Sequence, residues 1–175
     1  NAILGKFNDK NWDVRRSAVD ALAGLVSGDA DVRNAILGKL DDDDGDVRAL
    51  AFSVLAGLVS GDADVHSAIL GKIDDENSDV RSSAINALTG LVAGDSHVRN
   101  AILGKLDDES WSVRSSAVSA LAGLVSGDVD VCNAIVRKLD DEDNDVRSSA
   151  VSALAGLVSG DAKVCNAILK KLDDE

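Results

Sequence analysis

The chain has 175 residues, with 18 Lys and Arg against 31 Asp and Glu, so its formal net charge at pH 7 is −13. This balance argues against nucleic acid as a partner, because phosphate binding depends on clustered positive charge. Only 2% of the residues are aromatic and proline is absent, so the core must be built from small aliphatic side chains.

No apolar run approaches the roughly 18 residues that a membrane span needs, so no membrane partner is expected. No basic and then apolar leader opens the sequence either. The chain begins at Asn1 rather than at Met, which suggests a piece of a longer protein.

An internal repeat organises the whole sequence. The hexapeptide Asn-Ala-Ile-Leu-Gly-Lys and its variants begin at Asn1, Asn34, Ser67, Asn100, Asn133 and Asn166. The period of 33 residues divides the chain into units 1–33, 34–66, 67–99, 100–132 and 133–165, with a partial unit 166–175. Units 100–132 and 133–165 match at 26 of 33 positions. A period of this length indicates a stacked array of small units rather than one globule.

Each unit contains two apolar stripes with helical spacing. In the first unit these stripes are Val14, Ala18, Leu22 and Leu25, then Val32, Ile36 and Leu40. They predict a helix A at about 12–27 and a helix B at about 30–40, repeated every 33 residues. The chain begins and ends inside a helix B, so the expected order is B-(AB)5.

A Ser-Gly-Asp sequence separates the two helices of the first unit at residues 27–29, and it returns in later units. Gly28 can adopt a positive φ after helix A, and Asp29 can cap helix B, so we predict a tight hairpin. Helix A has its own candidate N-cap residues, which are Asn11, Asp44, Asn77, Ser110 and Asp143.

The turn before each helix A resembles the signature of the HEAT repeat family, in which an Asp of the turn is followed by Val-Arg and then by Ala and Ala-Leu. The Asp and Arg positions are Asp9 with Arg15, Asp42 with Arg48, Asp75 with Arg81, Asp108 with Arg114 and Asp141 with Arg147. The resemblance covers essentially the whole chain and fits short HEAT-like repeats. Ankyrin repeats have the same period but need a Thr-Pro-Leu-His type of turn, and this chain has no proline.

This resemblance implies an all-α fold: a right-handed α-solenoid of five 33-residue helical hairpins plus a terminal half-repeat. Helices B would line its concave face and helices A its convex face. The resemblance also implies that the Asp and Arg residues link neighbouring repeats. The helical wheel places Arg15 within the apolar arc, where an unpaired guanidinium is costly to desolvate. We therefore predict that each of the five arginines contacts the Asp of the preceding turn.

A row of polar side chains on helix B is the first candidate for binding a partner. It consists of Asn34, Ser67, Asn100 and Asn133, with Asn1 and Asn166 at the same position of the outer copies. Small residues one turn later would let an extended peptide approach, and the amides could bond its backbone. A similar asparagine ladder occurs in the related armadillo family. The simpler alternative is that recent duplication copied the residue.

Trp12 and Trp111 complete the set of candidate binding residues. They occupy a position that changes from copy to copy and is predicted to be exposed. Exposed tryptophan is common at binding hot spots, although either ring could instead pack over its turn. Most acidic residues fall in the turns between repeats, where they either cap helices and keep the array hydrated or steer a basic partner.

The sequence offers no nucleophile with a base, no phosphate loop and no converging metal ligands, so we expect neither catalytic residues nor a cofactor nor a metal. Cys132 and Cys165 lie one period apart, beyond disulfide reach, which predicts reduced thiols and a cytoplasmic or nuclear location.

We therefore predict a non-enzymatic scaffold that binds a protein or peptide, as the sensor or interaction region of a larger intracellular protein. A structural spacer or an array that self-associates end to end is the first alternative. A HEAT-like enzyme of the lyase or metal-hydroxylase type is the second. Those hydroxylases need His-Glu pairs, and neither His66 nor His97 is followed by Glu.

Overall fold

The computed structural model describes residues 2–155 and 157, and these residues form helices and turns without any strand. The α-helices are α1 Trp12–Leu22, α2 Ala30–Leu37, α3 Gly45–Ala56, α4 Ala63–Leu70, α5 Ser78–Leu88, α6 Ser96–Gly104, α7 Trp111–Leu121, α8 Val129–Arg137 and α9 Asn144–Ala155. Single 3-10 turns lie at Leu4–Lys6, Ala23–Leu25, Gly71–Asp74, Thr89–Leu91, Lys105–Asp107, Ala122–Leu124 and Lys138–Asp140. The prediction of an all-α fold is confirmed.

Odd-numbered helices are the predicted helices A, and even-numbered helices are the predicted helices B. Each helix B begins at an aspartate whose carboxylate accepts hydrogen bonds from the first free amides, as Asp29 does from Asp31 and Val32. Such a cap stabilises a helix by about 1 kcal/mol. Helices A are capped in the same way, for example by Asp44. Ser110 is an exception, because its hydroxyl hydrogen-bonds the hydroxyl of Ser112 instead of a backbone amide.

The hairpin between helices A and B is tight, but the predicted left-handed glycine is wrong. No glycine among the described residues has a positive φ. The amides of Gly28 and Asp29 both donate to the carbonyl of Leu25, at 3.1 and 3.0 Å. Asp29 then turns the chain with an extended backbone, φ −126° and ψ 110°. A 3-10 turn followed by one extended residue therefore reverses the chain.

The buried face of helix A ends at a different residue from the predicted one. Ala18 and Leu22 are buried as predicted, but Leu25 is 50% exposed and Val26 is buried in its place. Ala18, Leu22 and Val26 are spaced four residues apart, which is the spacing of one helix face. Val19, which is fully buried, completes this face.

The chain forms two compact units, Asn1–Leu88 and Thr89–Glu175. In the first unit α1 packs on α3 and α3 packs on α5, while α2 and α4 pack against α3 and α5. In the second unit α7 packs on α9, while α6 and α8 pack against α7 and α9. The core of each unit is the layer of valine, isoleucine and leucine between its helices A and B.

The first predicted helix B is not an α-helix. Its residues form only the 3-10 turn Leu4–Lys6, followed by the buried Phe7. A segment this short cannot offset the entropy cost of nucleating an α-helix. The partial unit 166–175 lies outside the described residues, so the unit boundaries and the order B-(AB)5 stay predictions. None of the described helices is both long and apolar enough to cross a bilayer.

Candidate functional site

The four described residues of the polar row all lie on helices B and are exposed. They are Asn34 on α2, Ser67 on α4, Asn100 on α6 and Asn133 on α8. Their neighbours along each helix, such as Val32 and Ile36, are fully buried. Within the described residues, no hydrogen bond engages these four side chains. Their donors and acceptors therefore face solvent from helices that the core holds in place. Asn1 and Asn166 lie outside the described residues.

Ion pairs beside the row join one helix B to the next within each unit. Arg33 Nε lies 2.9 Å from Asp62 Oδ2 in the first unit, and Arg99 Nε lies 3.7 Å from Asp128 Oδ2 in the second. Both aspartates are also N-cap residues, so each pair attaches one helix B to the start of the following one. Within each unit the ion pair therefore joins the two helices that carry the polar side chains, Asn34 with Ser67 and Asn100 with Asn133.

A glycine stands one helical turn after most residues of the row, and the structure does not require glycine at these positions. Gly71 has a helical backbone with φ −63°, and a Cβ at Gly71 or Gly104 would meet nothing within 4 Å. Arg137 stands at the equivalent position of α8 and is exposed. The surface next to the row is therefore open over α4 and α6, and it carries a positive charge over α8.

The two tryptophans stand apart from the row. Trp12 and Trp111 are the first residues of α1 and α7, with 43% and 48% of their surface exposed. They lie next to the turns between repeats, whereas the polar row lies in the middle of the helices B. The six candidate residues thus occupy two different places in the repeats rather than one site.

The Arg and Asp positions of the HEAT-like signature form a network in each unit. Arg15 donates from Nη1 to the main-chain carbonyl of Asp9 at 3.0 Å, so it contacts the preceding turn. Its Nε and Nη2 donate to the carboxylate of Asp42, at 2.8 and 2.6 Å. Arg114 repeats this geometry with the carbonyl of Asp108 and the carboxylate of Asp141.

This geometry corrects the predicted pairing in one respect. Arg48, Arg81 and Arg147 also donate to the main-chain carbonyl of the Asp in the preceding turn. The carboxylate that pairs with Arg15 or Arg114, however, belongs to the turn that follows, 27 residues later. The amide of its own turn does not distinguish the two carboxylates, because Asp9 accepts from Asn11 and Asp42 accepts from Asp44. The packing of α1 on α3 is what brings Arg15 to Asp42.

Asp42 shows the electrostatics of this network. The residue is 7% exposed and accepts hydrogen bonds from Arg15, Lys39 and the Asp44 amide. Burial works to raise the pKa of Asp42, but the hydrogen bonds from Arg15, the Asp44 amide and Lys39 outweigh it and hold the pKa below the ordinary carboxyl value. The pKa of Asp141 is lowered in the same way, against burial, chiefly by Arg114 and the Asp143 amide.

Sequence reasoning missed a second set of links, which the lysines provide. Lys138 Nζ lies 2.7 Å from Asp107 in the preceding turn and 3.5 Å from Asp141 in its own. Lys72 makes the equivalent contacts with Asp41 and Asp75. The signal was available, because a lysine ends every copy of the hexapeptide.

Two equivalent shallow grooves lie between successive turns, each of about 430 Å³. The groove of the second unit is the more acidic, since Asp107 and Glu109 replace Asn8 and Lys10 of the first, although Arg137 replaces Gly38. Exposed carboxylates such as Glu142, with 87% of its side chain accessible, give both grooves a negative rim.

In the described part of the chain, no three His, Cys, Asp or Glu side chains are placed to hold a metal ion. Cys132 is buried, and Cys165 lies outside the described residues, so the thiol prediction stays a prediction.

Several solved helical-repeat structures are similar in fold. A designed armadillo repeat protein in complex with the peptide (KR)4 is 23% identical, with a TM-score of 0.59 over 97% of this chain and 86% of that one. An engineered protein is 23% identical, with a TM-score of 0.57 over 99% and 88% of the two chains. A chain from the study of microtubule plus-end tracking by XMAP215, CLIP-170 and EB1 is 18% identical, with a TM-score of 0.59 over 99% and 90%.

At these identities the likeness shows the fold alone, which is a helical-repeat solenoid. No curated protein matches the sequence. The family model for HEAT repeats matches residues 2–89, 66–155 and 99–175, which together span nearly the whole chain. The helical hairpins, the Asp and Arg positions and this match agree, and the chain belongs to the HEAT repeat family.

Proposed function

We propose that this chain is a non-enzymatic scaffold that binds extended basic peptide segments of a partner protein along the helices B of each unit. The observation that carries the proposal is the pair Asn34 and Ser67 in the first unit and the pair Asn100 and Asn133 in the second. These side chains are exposed and have no hydrogen bond within the described residues, and within each unit an ion pair joins the two helices B that carry them. An amide can donate to and accept from a peptide backbone at once.

The charge beside the row supports a basic peptide. Asp31, Asp64 and Asp130 are exposed and lie three residues before the row on the same helix face. A carboxylate and a polar side chain therefore stand together on three of the four helices B. On α6, His97 takes the place of the aspartate, and on α8 the exposed Arg137 stands one turn after Asn133 and opposes a basic ligand there. The surfaces of α2 and α4 can therefore hydrogen-bond a peptide backbone and pair with its Lys or Arg side chains.

The spacing of the helices supports an extended ligand. Packed helices lie about 8–10 Å apart, and an extended chain advances about 3.3 Å per residue. Each repeat would then contact two to three residues of the peptide. The complex of a designed armadillo repeat protein with (KR)4 is one case in which a solenoid of this fold holds a basic peptide.

Trp12 and Trp111 would add apolar contacts near the turns for a partner larger than a peptide. The recurrent Arg–Asp and Lys–Asp contacts of the described repeats are structural, which favours a scaffold over an enzyme. We infer an intracellular setting, cytoplasmic or nuclear, from the cysteines that are expected to be reduced.

Fluorescence anisotropy with labelled (KR)4 tests the proposal. We expect saturable binding that weakens with salt, because charge pairs at the surface are screened. Replacing Asn34, Asn100 and Asn133 by Ala should weaken binding about tenfold, which corresponds to about 1.4 kcal/mol. Asn86→Ala is the matched control, since Asn86 is exposed on the helix A α5.

Two results would overturn the proposal. One is the absence of saturable binding to the basic peptide. The other is an equal loss of affinity in the Asn86→Ala control, which would show that the row is not the site.

A further inference from the structure

Each described helix B from α2 to α8 exposes the same three repeat positions. They are three and four residues apart along the helix, so they lie on one face. In the first unit these exposed positions are Asp31, Asn34 and Gly38 on α2, and Asp64, Ser67 and Gly71 on α4. The three positions thus carry one carboxylate on each helix and no cation.

The same face differs in the second unit. Its exposed positions are His97, Asn100 and Gly104 on α6, and Asp130, Asn133 and Arg137 on α8. A histidine replaces one of the two aspartates, and an arginine replaces one of the two glycines. The exposed face of α8 therefore has a carboxylate on one side of Asn133 and a guanidinium on the other.

The guanidinium of Arg137 is free to pair with a ligand. The arginine of α6 is engaged, because Arg99 Nε lies 3.7 Å from Asp128 Oδ2. Within the described residues, no hydrogen bond or ion pair engages the side chain of Arg137. Arg137 is the last residue of α8, where the helix dipole favours a cation, so it needs no further partner for stability.

The acidic groove beside the turns does not neutralise this charge. Arg137 borders that groove, but Lys138 already pairs with the carboxylates of Asp107 and Asp141 there, at 2.7 and 3.5 Å. A guanidinium donates two parallel hydrogen bonds to a carboxylate. The ligand group that fits Arg137 best is therefore an acidic side chain.

We propose that the helices B of the second unit bind a peptide segment in which basic and acidic side chains alternate, whereas those of the first unit bind a purely basic segment. The inference rests on the proposed function, because it takes Asn100 and Asn133 as the residues that hold the peptide backbone. Successive side chains of an extended peptide point to opposite sides. A segment that crosses α8 at Asn133 therefore directs one side chain toward Asp130 and the next toward Arg137.

Fluorescence anisotropy with labelled (KE)4, in which lysine and glutamate alternate, tests this inference beside (KR)4. We expect saturable binding of (KE)4. Arg137→Gln should weaken it about threefold, as expected for the loss of one exposed ion pair, and should not weaken binding of (KR)4. Arg16→Gln is the matched control and should leave (KE)4 binding unchanged, because Arg16 is also exposed but lies on the helix A α1.

Two asparagine variants locate the (KE)4 site. Asn133→Ala should weaken binding of (KE)4, whereas Asn34→Ala should leave it unchanged, because Asn34 lies on α2 in the first unit. An equal loss in both variants would contradict a site confined to the second unit.

A gain of binding is the independent measurement. Gly71→Arg places a guanidinium at the repeat position of Arg137 on α4, so it should raise the number of (KE)4 peptides bound per chain. Gly57→Arg is the matched control, because Gly57 is exposed after the helix A α3 and has a similar backbone, φ −67° against −63° for Gly71. A Cβ at either glycine meets nothing within 4 Å, so both variants are expected to fold.

Saturable binding of (KR)4 without binding of (KE)4 overturns this inference and leaves the proposed function standing. An equal loss of (KE)4 affinity in Arg137→Gln and Arg16→Gln also overturns it, because net charge alone would then explain the loss. If neither peptide binds, the proposed function and this inference both fail.

Discussion

At the residue scale, Asp42 makes four contacts that join two repeats. The carboxylate of Asp42 accepts the amide of its own turn, pairs with the arginine of the previous repeat and pairs with Lys39. Its carbonyl accepts Arg48 of its own repeat. The side chain is thus shared by two repeats, and the charge that burial would penalise is satisfied on all sides.

Replacing this aspartate should therefore cost more than replacing its neighbour. Asp42→Asn keeps a hydrogen-bond acceptor but removes the charge that pairs with Arg15, so the free energy of unfolding should fall by about 2 kcal/mol. Asp43→Asn, at an exposed position of the same turn, should change it by less than about 0.5 kcal/mol. Urea unfolding followed by circular dichroism measures both variants. Equal effects would show that the network contributes nothing beyond ordinary surface charge.

At the element scale, the geometry of the hairpin between helices A and B differs from the one that the sequence predicts. A Gly-Asp pair after an apolar stripe is typical of a left-handed helix end, yet the chain reverses through a 3-10 turn and an extended aspartate. The glycine is exposed, and in Gly61 a Cβ would meet nothing within 4 Å. Its backbone and its surroundings both accept an L-residue.

The variant Gly61→Ala distinguishes the two geometries. A right-handed backbone predicts that alanine leaves the free energy of unfolding unchanged or raises it by up to about 1 kcal/mol, because alanine lowers the entropy of the unfolded chain. A left-handed glycine would instead make the substitution destabilising by about 1–2 kcal/mol. Leu55→Ala, at a fully buried position of α3, should lose at least about 2 kcal/mol and shows that the assay is sensitive.

At the scale of the whole molecule, acidity and stability are linked through the buried aspartates. The pKa of Asp42 and that of Asp141 both lie below the ordinary carboxyl value of 3.8. The unfolded chain therefore binds protons more readily than the folded chain. The contribution of these groups to stability is fully present above pH 3.8 and is lost as the pH falls through their folded-state pKa values.

We expect the urea midpoint to fall steeply only below about pH 4. The double variant Asp42→Asn, Asp141→Asn should begin from a lower midpoint at neutral pH and should lose less of it on acidification. An equally steep loss in the double variant would mean that other carboxylates govern acid unfolding.

The sequence alone determined the features that depend on periodicity. The 33-residue repeat, the alternation of helices A and B and most of the N-caps follow from apolar spacing and capping chemistry, which are local. The exposure of Asn34 and its equivalents follows from the same spacing, because a residue between two buried positions of a helix turns outward.

Only the tertiary structure decided which repeat supplies the carboxylate that pairs with each arginine. The carboxylate that binds Arg15 is 27 residues away, and the choice between Asp9 and Asp42 depends on how α1 and α3 pack. The same holds for Val118 and Val151, which occupy the same repeat position: Val118 is fully buried, because α9 packs on α7, whereas Val151 is 46% exposed. Local pattern assigns a side chain to a face of a helix, whereas burial and pairing depend on the helix that covers that face.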